Sequence, residues 1–218
     1  MSGIADLANA PALKGVFARL QERFAPHNLA TFDEESLIAA HTLIDNIMNV
    51  LIDFLPDNSP LVARDAIVHP TAILGERVVI FPGAYVGPYC YLRGHTLVFP
   101  GCHLGYLVET DKAVIFDNTQ IHHSAVIGQS IIGAGCNIGF SFATATKTVT
   151  GRPTRVHCCE NHWYESKAVH HGAVLGRQVV AGTQVSLMPG ASVMAQVRLY
   201  PHVRVGGYVT NDVRNSNV

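Results

Sequence analysis

IHHSAVIGQSIIGAGCNIGFSF, residues 121–142, places an aliphatic residue directly before glycine at Ile127-Gly128, Ile132-Gly133 and Ile138-Gly139. Working outward, the same beat runs through much of the chain. Towards the N-terminus an aliphatic side chain recurs every six residues: Val68, Leu74, Ile80, Val86, Leu92, Val98 and Leu104. Four residues after each stands a small or β-branched one, namely Ala72, Val78, Ala84, Cys90, Thr96, Cys102 and Val108. The frame returns at Ile115, Ile121 and Ile127, slips by one residue, and resumes at Ile132 and Ile138. It runs again through Leu175, Ala181, Leu187, Val193, Leu199 and Val205, with companions Val179, Val185, Ala191, Val197 and Val203. A period of six fits neither the 3.6-residue turn of a helix nor the two-residue alternation of a hairpin sheet. It fits a prism with three flat faces and a coil of 18 residues, sustained over roughly 17 hexads. The aliphatic residue points inward, the small one fits beside the corner, and glycine relieves strain where the chain bends. Cys90, Cys102 and Cys136 fall on the small inward position, so they read as packing.

The flanking segments have another texture. In residues 1–60, PALKGVFARLQERFA carries apolar residues at helical spacing. TFDEESLIAAHTLIDNIMNVLIDFLP opens on the capping-box pair Thr31 and Glu34 and stops at Pro56. Two helices that cap or flank the first coil are expected, joined by the linker at 56–60 to a repeat domain at 61–213, with a tail at 214–218. Residues 143–172 interrupt the repeat, and Thr/Val alternation around Gly151-Arg152-Pro153 predicts a hairpin arm. The fold class is therefore an all-β solenoid with a short N-terminal helical segment and an inserted arm.

Composition narrows the function. The chain has 218 residues, 48% hydrophobic and 14% charged, with 15 basic and 16 acidic side chains. A nearly neutral chain is not built for nucleic acid or an anionic membrane. The N-terminus lacks a basic and then apolar signal, and the most apolar stretch is broken by Asp45, Asn46, Asn49 and Asp53, so no membrane span is expected. Five irregularly spaced cysteines make no disulfide framework and suit a reduced, cytoplasmic compartment. HCCENH, residues 157–162, offers metal-ligand types without a zinc spacing. Trp163 and Tyr164 read as pinning the arm to a coil. A prism has no internal cavity, so a pocket must lie between apposed subunits, which predicts a homotrimer.

The repeat resembles the hexapeptide acyltransferases. It is most similar to the acetyltransferase domain of bifunctional sugar-1-phosphate nucleotidyltransferase/acetyltransferases. The stretches that carry this are YLRGHT (91–96), YLVE (106–109), HHSAVIGQSIIGAGCNIG (122–139) and GAVLGRQVVAGTQVSLMPG (172–190). The resemblance implies a left-handed parallel β-helix, a homotrimer, and acetyl-CoA as co-substrate in the groove between subunits, with no metal. It implies an amino sugar phosphate or nucleotide sugar as acceptor. It makes His123 the general base, Arg93 a phosphate contact and Asn137 an acceptor contact, with Glu109, Lys112 and His95 as neighbours. His122 would face the other way or pack at a corner. Otherwise Asn137 would be an inward amide bonding the coil, and Arg93 and His123 solvated surface groups. The family's lysine after Val-Glu is Asp111 here, with Lys112 one place later. Its tyrosine three residues after the base is Val126, and its asparagine nine residues after Asn137 is Thr146. Residues 1–60 hold no Gly-rich nucleotidyltransferase loop. Those replacements also suit a non-catalytic trimer that binds a sugar nucleotide or a protein. A third alternative is a gamma-class carbonic anhydrase, similar at Arg93-Gly94-His95 and at 118–120 but lacking the acid and histidine expected beyond.

An amine attacks a thioester only when neutral. An imidazole with the ordinary histidine pKa near 6.5 can take its proton, and such help is typically worth ~10²–10⁴-fold.

Overall fold

The computed structural model describes residues 11–24, 34–55, 58–159, 162–166 and 168–215. The chain forms a left-handed parallel β-helix. Its three faces contain eight, seven and seven parallel strands. On face one Val79 pairs with Leu97 and Leu97 with Val114, so one coil takes 18 residues and the next 17. Two five-residue steps cause this, Thr110 to Ile115 and Ile127 to Ile132. The first was hidden because Thr110, not an aliphatic residue, fills the inward position. Its hydroxyl, wholly buried, donates to Thr96 Oγ1 at 3.1 Å.

The inward aliphatics Ile80, Val86, Leu92, Val98, Leu104, Ile115, Ile121 and Ile127 are fully buried. Each such side chain contributes about 1.5–3 kcal/mol relative to exposure. The companion cysteines sit in the same core and use their thiols. Cys90 donates to the Gly105 carbonyl at 2.9 Å, Cys102 to Phe116 and Cys136 to Gly176, each at 3.1 Å.

Glycine has a different task from the one its position suggested. The glycine after the inward aliphatic does not turn the corner. A Cβ on Gly105 would overlap the His122 carbonyl of the next coil, and one on Gly75 the Arg93 carbonyl. These glycines allow coils to approach. The left-handed corners fall one or two residues later and are held mostly by other residues, among them His95 (φ 47°), Lys112 (φ 51°) and Ser124 (φ 35°). Each donates its N–H to the preceding coil, as Ser124 does to Tyr106 at 2.8 Å, which offsets the cost of the left-handed conformation.

Two helices cover face one. α1 is Pro11–Phe24 and α2 is Glu34–Phe54. The capping residue Thr31 and linker residues 56–57 lie outside the described residues. α2 does not cap the first coil; it runs lengthwise. Its C-terminal end reaches the first coil, where Arg77 Nε donates to the Leu55 carbonyl at 3.1 Å. Its N-terminal part reaches the far coils, where His41 meets Ser192. Leu37, Ala40, Ile44, Ile47 and Leu51 are buried, and so are the outward residues of face one, Val79, Leu97, Val114, Ile131 and Val174. Ser36–Phe54 is long and apolar enough by composition to cross a membrane, with mean hydropathy 1.3, but here its apolar side packs on the solenoid. α1 closes the corner between faces one and two, with Phe24 against Phe99 in the row Phe81, Phe99 and Phe116.

The arm leaves later than expected. Ala143–Thr144 still pairs as a solenoid strand. The antiparallel pair is Arg155–Cys159 with His162–Glu165, beyond Pro153 and not around it, and residues 160–161 lie outside the described residues. Lys147 and His170 bridge at the base of the arm. Trp163 stacks on His157 at 4.0 Å within the hairpin and is otherwise exposed.

Candidate active site

With face one covered, faces two and three carry the exposed side chains. His123 ends the strand Gln120–His123 on face two, where Ser124 turns the chain towards face three. It is exposed and lies opposite Tyr106 of the preceding coil. His122 is also exposed and leans on His103, with ring centres 5.0 Å apart, while His103 stacks on Tyr85 at 4.5 Å. Partial burial, then the neighbouring His122, lowers the His103 pKa and favours its neutral form.

Arg93 and Glu109 stand on adjacent strands of face three, with guanidinium and carboxylate 3.6 Å apart. Both are about half exposed, so this contact stabilises by at most about 1 kcal/mol. Glu109 lies beside Val126, which stands where the resemblance places a tyrosine. Lys112 is at the far corner of face three, its backbone N–H bonded to Gly94. His95 occupies the same corner one coil earlier. It is nearly inaccessible, its Nε2 has no hydrogen-bond partner among the described residues, and burial lowers its pKa. It is a corner residue and not a wall of an open site. Asn137 points outward from face two and is exposed, which excludes an inward amide role. It pairs with Gln120 of the strand that ends at His123.

The sequence-derived candidates are thus distributed around one edge of the prism. His123 is on the edge, Asn137 on one side, Arg93 and Glu109 on the other, and Lys112 furthest away. Among the described residues, surface clefts lie elsewhere: about 340 Å³ between the helices beside Arg23, Thr42 and Asn46, and about 390 Å³ at the last coil beside Tyr200, His202 and Arg214. The edge carries exposed apolar groups, among them Tyr89, Tyr91, Tyr106, Leu107, Val126 and Phe140. Tyr106 and Tyr89 meet edge to face, 5.9 Å apart. The sequence reading missed Tyr106 and His103 as neighbours of the histidine pair; counting one coil back from His123 finds the first.

Among the described residues no three His, Cys, Asp or Glu side chains converge as metal ligands. Of the 157–162 stretch, residues 160 and 161 lie outside that set.

A family model described as the GMPPB C-terminal domain matches residues 74–162. Curated relatives include the bifunctional protein GlmU of Methanococcus vannielii, 36% identical over 111 residues, which are 50% of this chain and 26% of that protein. GlmU of Methanococcus aeolicus is 30% identical over 164 residues, 69% of this chain and 39% of that one. The bifunctional sugar-1-phosphate nucleotidylyltransferase/acetyltransferase of Sulfurisphaera tokodaii is 29% identical over 127 residues, 58% and 30% of the two chains. The chain therefore spans between 26% and 39% of the length of these relatives. Among solved structures, the UDP-N-acetylglucosamine acyltransferase of Francisella novicida aligns over 70% of this chain and 62% of its own, with 16% identity and a TM-score of 0.46.

Proposed function

We propose that this chain is an acyl-CoA-dependent acyltransferase, acetylating the amine of a sugar phosphate or nucleotide sugar at a site between subunits of a homotrimer. The observation that carries the reading is His123, an exposed imidazole on an apolar prism edge, flanked by the Arg93–Glu109 pair on one face and Asn137 on the other. The acetyltransferase named in the Sulfurisphaera tokodaii relative supports the reaction class.

In this mechanism the acceptor nitrogen attacks the thioester carbonyl carbon while His123 takes its proton. The oxyanion of the tetrahedral intermediate collapses, the C–S bond breaks, and the CoA sulfur leaves with the proton that His123 had taken from the nitrogen. Arg93 pairs with the acceptor phosphate once Glu109 releases it, and Asn137 donates to or accepts from the sugar hydroxyls. A second subunit seated on the exposed edge provides the missing wall and removes water, which strengthens every polar contact inside. The reaction needs no metal, and the compartment proposed is the cytoplasm.

A second reading is a trimer that binds a sugar nucleotide or a protein partner without turnover. Val126 in place of a tyrosine beside the edge favours it.

The test is calorimetric titration with acetyl-CoA, together with light scattering. The proposal expects one acetyl-CoA per subunit and a mass near three times 23.5 kDa. A monomer that binds no acetyl-CoA would overturn it.

A further inference from the structure

A second cluster of histidine lies far in the sequence from the candidate site and is wholly buried. His41 of α2 and His171, where the arm returns to the solenoid, face each other with Nδ1 of His41 2.8 Å from Nε2 of His171. The other nitrogen of His171, Nδ1, is 2.8 Å from Asp45 Oδ1, and Ser166 Oγ donates to that same oxygen at 2.7 Å. The other nitrogen of His41, Nε2, is 2.9 Å from Ser192 Oγ on face one. A continuous chain thus joins a helix, the arm and the solenoid. It is not a hydrolytic triad, because Ser192 and both rings are inaccessible.

Proton counting gives the chain its property. With Asp45 as a carboxylate, His171 Nδ1–H must donate to it. One proton then suffices between the rings: His41 Nδ1–H donates to His171 Nε2, and the Ser192 hydroxyl donates to His41 Nε2. One added proton is also accommodated, with His171 donating from both nitrogens and His41 donating to Ser192. A second added proton is not. Two N–H groups would then oppose each other across 2.8 Å, and two buried cations would share the Asp45 carboxylate.

We propose that the His41–His171 pair is an acid-released latch fastening α2 and the returning arm to face one. Among the described residues the groups facing it are these. α2 supplies Asp45, the arm return supplies Ser166, with His170 exposed beside it, and face one supplies Ser192. The strand Arg155–Cys159, which also packs on α2, carries exposed Arg155, half-buried His157 against Trp163, and buried Cys158. Burial first, and the neighbouring His171 next, hold His41 well below the ordinary value of 6.5, against a smaller opposing effect of Asp45. The closed state therefore binds fewer protons than the open one. Its stability is complete above pH 6.5 and is lost as pH falls below that value. Opening would uncover the apolar row Val79, Leu97, Val114, Ile131 and Val174.

Hydrogen-exchange mass spectrometry on the full chain from about pH 7.5 to about pH 5, corrected for intrinsic exchange, tests this. The opening constants of α2 and of residues 166–172 should rise together, up to about tenfold per pH unit below 6.5, while the strand Gln120–His123 keeps its protection. His41→Gln should flatten that rise. Should His41→Gln fail to fold, Ser192→Ala serves instead: it leaves both imidazoles in place and should keep the rise. Protection of α2 that does not change with pH in the native chain would overturn the proposal. So would a rise that persists in folded His41→Gln, or one that Ser192→Ala abolishes.

Discussion

His123 and Tyr106 lie opposite each other in register at the edge where face two turns into face three. The imidazole is therefore fixed by backbone pairing at its base, while its ring is exposed beside that of His122, with centres 6.1 Å apart. Positioning costs the fold little, because the ring takes no part in the core. That separation of stability from chemistry is what the substitutions below exploit.

His123→Ala should lower turnover by at least ~10²-fold while leaving the melting temperature nearly unchanged, since exposed substitutions stay within about 0.5 kcal/mol. His122→Ala should cost much less, because that ring leans back on His103. Steady-state kinetics and thermal unfolding on the same preparations check both.

Arg93→Ala should raise the KM for the acceptor more than it lowers kcat, as expected for a group that binds ground state and transition state alike. Its ion pair with Glu109 is a weak surface contact at 3.6 Å, so stability should not change measurably. A drop in kcat alone would instead assign Arg93 to the transition state.

Gly105→Ala should destabilise the protein by about 1–3 kcal/mol, the usual cost of forcing atoms into a packed site. The new Cβ meets the backbone carbonyl of His122, which has no rotamer to escape through. Because that carbonyl belongs to the residue before His123, activity should fall as well. Denaturant unfolding beside an activity assay reads both effects.

Cys102 and Cys136 should resist alkylation in the folded protein at pH 8. Burial pushes both thiols up to about 12, leaving about one molecule in ten thousand as thiolate there. Mass spectrometry after iodoacetamide treatment should find them unmodified until denaturant is added.

Much of the fold was legible because the signal is local and repeated: each inward aliphatic states the period again. The reading faltered at Thr110 and Thr144, where a buried hydroxyl fills the inward position. It also assigned glycine to the corners, because composition does not separate a glycine needed for bending from one needed for close approach. The course of α2 along face one was not legible, since the partners of His41 are 130 and 151 residues away. His123, Arg93, Glu109 and Asn137 could be named from motifs, and Asn137 could not be oriented until the register placed it outward. The edge they share follows from coil geometry alone. In the proposed trimer the rest of the pocket would come from a neighbouring subunit, which one sequence does not describe.

The most direct test is free-thiol release from acetyl-CoA, run with glucosamine-1-phosphate, galactosamine-1-phosphate and a set of nucleotide amino sugars, with His123→Ala alongside. The account predicts release that requires one of these acceptors and falls at least ~10²-fold in the variant. Release that is undiminished in His123→Ala, or acetyl-CoA binding with no release for any acceptor, would contradict it.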